Sequence, residues 1–345
     1  MNVAGRPTRT LWIAADGRGV EIIDQTRLPH DFVVLRLDTL DAMAHAIRSM
    51  QLRGAPLIGV AGAYGIALAM HADPSDAALI AAATTLLATR PTAVNLRWAL
   101  DRMVALLRPL APAERVEAAY QAAAQMADDD VAACAAMAAH GEPLLRALWA
   151  QHPERPLQLL THCNAGWLAT IDWGTALGPI YRAHDAGIPL HVWVDETRPR
   201  NQGYLTAWEL GQHGVPHTVI VDNAGGLLMR QGKVDACIVG TDRTTRTGDV
   251  ANKIGTYLKA LAAHDNGIPF YVAAPSSSID WESRDGMRIV IEERDPREVH
   301  SLPGVAAHNP GFDVTPACLV TALITERGVC AASESGLLGL FPERA

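Results

Sequence analysis

No C-x-x-C pair and no zinc-ligand spacing occur in this chain of 345 residues, whose five cysteines, at 134, 163, 237, 318 and 330, are odd in number. That excludes a disulfide framework and a structural zinc site, and it leads us to expect a reducing compartment, the cytoplasm. Positive charge is also scarce. Lys plus Arg number 29 against 37 Asp plus Glu, for a net charge of -8, so nucleic acid is not expected as the main partner, whereas a small anion held by a local Arg cluster is. The N-terminus lacks a basic start followed by an apolar core, so no secretory signal is expected. The longest uncharged run, Gly54 to Met70, is too short and too rich in Gly and Ala to read as a membrane span. Neither G-x-G-x-x-G nor G-x-x-x-x-G-K-[ST] occurs, which removes the usual support for dinucleotide or P-loop binding. H-E-x-x-H and G-x-S-x-G are missing as well, and no metal or cofactor is expected.

What is present reads as two domains. Hydrophobic residues make up 49% and charged ones 19%, a globular composition, and the length is generous for a single core. We place a smaller N-terminal α+β domain at residues 1–150 and a Rossmann-like parallel-sheet domain at 151–345. Near the start, Leu11-Trp12-Ile13, Val20-Glu21-Ile22-Ile23 and Phe32-Val33-Val34-Leu35 predict a small antiparallel sheet, with Asp16-Gly17 as the hairpin turn. A helix follows from Thr39. Arg53-Gly54-Ala55-Pro56 then opens an apolar helix whose Gly59, Gly62 and Gly65 each cost about 1 kcal/mol relative to Ala, so close packing against a neighbour is expected. An Arg beside the free N–H groups of a helix start makes an anion site, although a lone loop Arg is more often a solvated charge. Pro91 suits the first turn of the next helix and places Arg90 at its start. From Pro112 to Ala150 the chain reads as helix, with Asp128-Asp129-Asp130 solvated, and the polar, Pro-rich Gln151–Pro156 marks the boundary.

Beyond it, short apolar runs at 157–161, 189–194, 217–221, 234–239 and 269–273 alternate with helical stretches at about 175–186, 204–212, 224–230 and 250–266. Such alternation predicts a parallel sheet, and ligands in such sheets collect beyond the carboxyl ends of the strands. Those ends are unusually polar here: Thr161-His162-Cys163-Asn164, then Asp195-Glu196-Thr197-Arg198-Pro199-Arg200, Asp222-Asn223, and Gly240-Thr241-Asp242-Arg243. Each has a plain structural alternative. A free Cys often behaves as a small hydrophobe, His162 is assigned to structural support, Asp222 and Asp249 to helix caps, and the charges at 195–200 to an ion-pair network. Asp242 follows a strand directly and is not a cap.

Taken together, Arg53-Gly54-Ala55-Pro56, Thr89-Arg90-Pro91-Thr92-Ala93-Val94-Asn95-Leu96, Thr161-His162-Cys163-Asn164-Ala165-Gly166, Asp195–Arg200 with Gln202-Gly203, Gly240–Arg243, Gly248–Tyr257 and Asn309–Pro316 are very specific. The chain resembles the methylthioribose-1-phosphate isomerases, in a family shared with regulatory subunits of the translation-initiation exchange factor and ribose-1,5-bisphosphate isomerases. The resemblance covers most of the chain. It implies that Cys163 and Asp242 are the catalytic pair, that Arg53, Gly54, Ala55, Arg90, Gln202, Asn252 and Lys253 hold substrate and its phosphate, and that the protein is a homodimer acting in methionine salvage. Two stretches depart from the pattern: no His stands near Leu227, and Thr244-Thr245-Arg246-Thr247 replaces a more usual Ile-Ala-Ala-Asn-type stretch.

The implied reaction explains these residue types. A phosphate esterified at C1 locks the anomeric carbon, so the ring must open by protonation of its oxygen before hydrogen moves from C2 to C1. An acid kept protonated by burial fits Asp242. Cys163 either removes the C2 proton as a base or stabilises a direct hydride shift, and both routes need a dry site. The expected reaction is conversion of 5-methylthioribose 1-phosphate to 5-methylthioribulose 1-phosphate. Alternatives are 5-deoxyribose 1-phosphate or ribose 1,5-bisphosphate as substrate, or a non-catalytic sugar-phosphate or nucleotide sensor.

Overall fold

The computed structural model describes residues 1–345. The N-terminal strands form as the alternation requires: Leu11–Ile13, Val20–Ile23 and Val34–Leu37 pair antiparallel in sequence order. The third lies two residues later than its apolar run, because Val34–Leu37 is the register that pairs with Val20–Ile23. Helices Leu40–Arg48, Ala55–Ala72, Asp76–Leu87 and Val94–Leu107 follow, and then one long helix, Pro112–Trp149.

Helix Ala55–Ala72 is the hub of this half. It has the length and hydropathy of a membrane span, yet every residue from Pro56 to Met70 is buried inside the fold. Its glycines explain how neighbours come so close. A Cβ on Gly59 would stand 3.0 Å from the backbone oxygen of Asn95, and one on Gly65 would stand 2.9 Å from Leu86. Pro91 is not in the first helical turn as expected. The following helix begins only at Val94, with Ala93 as its cap, because Ala93 N–H closes a turn onto Arg90 O.

The second half is built on a seven-stranded sheet. Its spatial order is Gly328–Cys330, Ala322–Thr325, Phe270–Ala273, Ala236–Val239, Leu157–Thr161, Leu190–Asp195, His217–Ile220. All neighbours are parallel except the first pair. Leu157–Thr161, the first strand of this sheet in chain order, has successive strands laid outward on one side and Ala236–Val239 on the other. The strand order therefore reverses at the Leu157–Thr161 and Ala236–Val239 junction, where a crevice opens beyond the carboxyl ends.

One expected helix start is a strand. Val250–Lys253 pairs along its whole length with Phe312–Thr315 and also with Arg243–Thr245 in a small four-stranded sheet; the helix begins at Thr256. Its partner lies about sixty residues away, so local periodicity could not reveal the pairing.

The long helix joins the two halves. Its first part packs into the core around helix Ala55–Ala72, and from Cys134 onward it packs on the core of the central sheet. The expected solvated acidic run divides at this joint. Asp128 pairs with Arg9 at the surface, whereas Asp130 accepts a 2.7 Å hydrogen bond from Ile171 N–H, and burial pushes its carboxyl up to about 7. A carboxyl raised on folding binds its proton more tightly in the native state. Its stability contribution is therefore greatest at acid pH and declines as pH rises from its ordinary range to about 7. Asp130→Asn keeps an acceptor for Ile171, and chemical denaturation between pH 4 and pH 8 is expected to show that decline flattened, with the variant more stable than wild type at the alkaline end.

Candidate active site

The crevice at the strand reversal is built from two strand ends. Thr161 Oγ1 donates to Ile238 O at 2.8 Å and ties them together; Cys163 leaves one, and Asp242 the other. Cys163 has a left-handed backbone, φ +66°, which is uncommon for a residue with a Cβ. Two hydrogen bonds hold it there: Cys163 N–H donates to Thr197 Oγ1 at 2.9 Å, and Cys163 O accepts from Thr206 Oγ1 at 2.9 Å. Met50, Thr197 and Asn201 also have positive φ, so strained backbone gathers around this crevice, as it does at functional sites.

All nine expected site residues line one cavity of about 1040 Å³, open mouth included. Arg53, Gly54 and Ala55 arrive from the start of helix Ala55–Ala72, where Gly54 has φ +105° and an added Cβ would lie 2.5 Å from the backbone of Ala169. Only glycine fits that approach. Arg90 enters from the turn before Val94, Gln202 from the start of helix Gly203–His213, and Asn252 and Lys253 from strand Val250–Lys253. Gln202 is buried with its side-chain oxygen unpartnered. Three helix N-termini thus face a cavity that already gathers guanidinium and ammonium groups, an arrangement suited to an anion.

Burial and charge compete at Cys163, Asp242, Lys253 and Glu292. Burial pushes the Cys163 thiol up, opposed by Arg53 and Lys253. It also raises the Asp242 carboxyl, opposed by Lys253, Arg90 and Arg53, and it lowers Lys253, opposed by Cys163 and Asp242. Burial would raise Glu292 too, but Arg90, at 3.0 Å, and Arg294, at 2.7 Å, hold it below its ordinary range. Glu292 belongs to the segment between strands Ile279–Asp280 and Phe312–Thr315, which crosses the cavity and contributes Ile289, Val290 and Ile291 to its apolar wall along with Met50 and Phe312.

His162 is a support, as expected. Its Nδ1 lies 2.9 Å from Asp195 Oδ2 and its Nε2 2.8 Å from Ile254 O. Of only three lysines in the chain, Lys259 stands 3.1 Å from the same fully buried Asp195. His162, Asp195 and Asp222 are spaced like metal ligands, but the Lys259 ammonium already provides the positive charge. Asp222 and Asp249 are not helix caps. Asp222 accepts from Thr197 and Arg198 N–H, both at 2.8 Å, and Asp249 accepts from Gly286 and Ala317 N–H, both at 3.0 Å, because the loops folded over them need acceptors more than their own chain neighbours do. The charges at 195–200 do not form one network: Asp195 faces inward to His162 and Lys259, while Arg200 pairs with Glu298.

Glu209 went unnoticed in the sequence, although a signal existed. Leu205, Thr206, Glu209 and Leu210 share one helical face, and all are buried, so the carboxylate had to meet donors inside. The missing His near Leu227 falls on an exposed position, and Thr244 and Thr245 are buried strand residues beside the crevice. Lys259→Met should leave Asp195 a buried, weakly countered carboxylate and cost about 3–5 kcal/mol, read as a fall in urea midpoint at unchanged slope.

A parallel sheet with its crevice at the strand reversal and a cation-lined cavity facing several helix starts defines a binder of small anions. The chain belongs to the initiation factor 2 subunit family, whose model matches residues 51–332. Within that family its full-length relatives include proteins named as isomerases. Proteins named methylthioribose-1-phosphate isomerase are 60% identical in Rhodospirillum rubrum, covering 100% of this chain and 94% of theirs, and 62% identical in Methylorubrum populi, covering 100% and 99%. Among solved structures, 5-methylthioribose 1-phosphate isomerase from Pyrococcus horikoshii matches with a TM-score of 0.86 and 40% identity over 98% of this chain and 97% of that one. A chain described as translation initiation factor eIF-2B subunit delta from A. fulgidus matches with a TM-score of 0.82 and 40% identity over 97% and 100%.

Proposed function

We infer that this chain is an aldose-ketose isomerase converting 5-methylthioribose 1-phosphate to 5-methylthioribulose 1-phosphate, a step of methionine salvage. The observation that carries the reading is the convergence of a thiol and a carboxyl, Cys163 and Asp242, with Arg53, Arg90 and Lys253 in one cavity. A sensor needs the cations but neither of the first two groups.

In this mechanism Asp242, its carboxyl pushed toward the protonated form by burial, gives its proton to the ring oxygen and opens the ring. Hydrogen passes from C2 to C1, and the C2 hydroxyl proton returns to the Asp242 carboxylate as the ketone forms. Arg53, Arg90, Lys253 and the Gly54 and Ala55 N–H groups balance the phosphate. Gln202 and Asn252 hold sugar hydroxyls. Burial shifts the Cys163 thiol upward from an already alkaline ordinary value. That favours a hydride shift past a neutral thiol over abstraction by a thiolate. The apolar wall at Met50, Ile289, Val290 and Ile291 suits a methylthio group.

We also propose a homodimer in the cytoplasm. The exposed apolar side chains Leu227 and Leu258 support a second copy, and five cysteines without a disulfide suit a reducing compartment.

Turnover in deuterated water tests the chemistry. Wild type should convert 5-methylthioribose 1-phosphate without placing deuterium at C1, while Cys163→Ala and Asp242→Asn should each lose on the order of 100-fold or more in kcat. Deuterium at C1 would replace the hydride route by proton abstraction. Absence of wild-type turnover on this sugar, with turnover on 5-deoxyribose 1-phosphate or ribose 1,5-bisphosphate, would reassign the substrate; turnover on none would leave the sensor.

A further inference from the structure

Arg53 is buried to 6% exposure, and only one of its guanidinium nitrogens is used by the protein. Nη2 donates to both the backbone and the side-chain oxygen of Asn164, the former at 2.9 Å. No other nitrogen of the group makes a hydrogen bond within the chain, and Arg53 lines the cavity. The side-chain amide of Asn164 therefore has a fixed sense: oxygen toward Arg53, NH2 away from it. What holds that sense is Glu209. Asn164 Nδ2 donates to Glu209 Oε1 at 2.8 Å and to Thr206 Oγ1 at 3.1 Å.

Glu209 is itself fully buried and has no guanidinium or ammonium in contact. It is satisfied by donors alone: Leu168 N–H at 3.0 Å joins Asn164 on Oε1, while Trp167 N–H at 2.8 Å and Tyr181 O–H at 3.0 Å meet Oε2. Burial pushes its carboxyl up to about 7, opposed by the hydrogen bonds from Asn164, Leu168 and Tyr181, and four donors on two oxygens suit the ionised form, which accepts only. Its charge is passed to Arg53 through one amide rather than by direct pairing. A direct ion pair would consume the guanidinium edge that faces the cavity; the interposed amide leaves that edge free and still anchors the group.

We propose that Glu209 is a positioning residue for substrate phosphate, acting through the Asn164 amide to hold Arg53 with its free donors turned into the cavity. The inference rests on the reading of Arg53 as a phosphate ligand, and it predicts a defect in binding rather than in chemistry. Glu209→Gln puts an NH2 where two of the four donors need an acceptor, so the Asn164 amide loses its orientation and Arg53 its anchor. Asn164→Asp with Glu209→Gln separates anchoring from charge: the new carboxylate accepts from Arg53 and from the Gln side-chain NH2, so it holds the guanidinium but pairs with it directly, and phosphate binding should stay weak.

The experiment measures kcat and KM for 5-methylthioribose 1-phosphate, Kd for inorganic phosphate by calorimetry, and the thermal midpoint, in wild type, both single variants and the double variant. Glu209→Gln is expected to raise KM and the phosphate Kd about tenfold or more, with kcat within about threefold, and the double variant to bind phosphate no better, because its carboxylate pairs with Arg53 directly. If Glu209→Gln does not fold, Asn164→Ala removes the link while leaving Glu209 three donors, and it should show the same binding defect. The proposal is overturned if the double variant binds phosphate like wild type, if kcat falls with KM unchanged, or if Asn164→Ala binds phosphate like wild type. The phosphate titration separates this from the substrate assignment: failure of wild type to turn over the sugar would remove the isomerase reading, while the Glu209 dependence of phosphate binding would still be read directly.

Discussion

Positive charges crowded into a half-dry crevice repel one another by several kcal/mol at the low effective dielectric of such a place, and this repulsion sets the terms for everything around the site. Arg53, Arg90, Lys253 and Lys259 lie around one strand reversal, with His162 beside them. Each is answered separately. Asn164 with Glu209 serves Arg53, Glu292 serves Arg90, Asp195 serves both His162 and Lys259, and the Gly311 carbonyl accepts from Lys253 at 2.9 Å. Where an answering group is a full carboxylate in direct contact, as at Arg90, the cation is partly neutralised. Where it is an amide or a carbonyl, as at Arg53 and Lys253, the charge stays available to a ligand. The same competition moves Asp242 toward its protonated form, since burial outweighs three neighbouring cations.

That electrostatic arrangement depends on the backbone being held where it would not rest unaided. Cys163 keeps its left-handed conformation through Thr197 and Thr206, and Thr197 in turn hangs from Asp222. Gly54 permits a contact with Ala169 that no side chain would survive. The central sheet supplies rigidity on one side of the crevice, the packed helix Ala55–Ala72 on the other, and the segment ending at Phe312 crosses between them.

Much of this was legible in the residues. Apolar runs bounded by polar strand ends located the parallel strands closely, the three glycines of helix Ala55–Ala72 foretold its close contacts, and the family resemblance picked out nine residues that line one cavity. The errors share a cause. By local pattern Val250–Lys253 reads as a helix start, Asp130 as solvated, and Asp222 and Asp249 as caps of their own helices, but in each case the deciding partner lies far along the chain: Phe312–Thr315, Ile171, Thr197, Gly286 and Ala317. Residue type and spacing report hydrophobic periodicity, turn chemistry and the presence of acids, bases and cations, all of which are local properties. Only the tertiary structure decided which carboxylate answers which cation, since hydrogen bonds and charge pairing act across a few ångströms of space regardless of separation in sequence. It is that choice, made by Glu209 through Asn164 and by Glu292 directly, that leaves Arg53 open and Arg90 engaged.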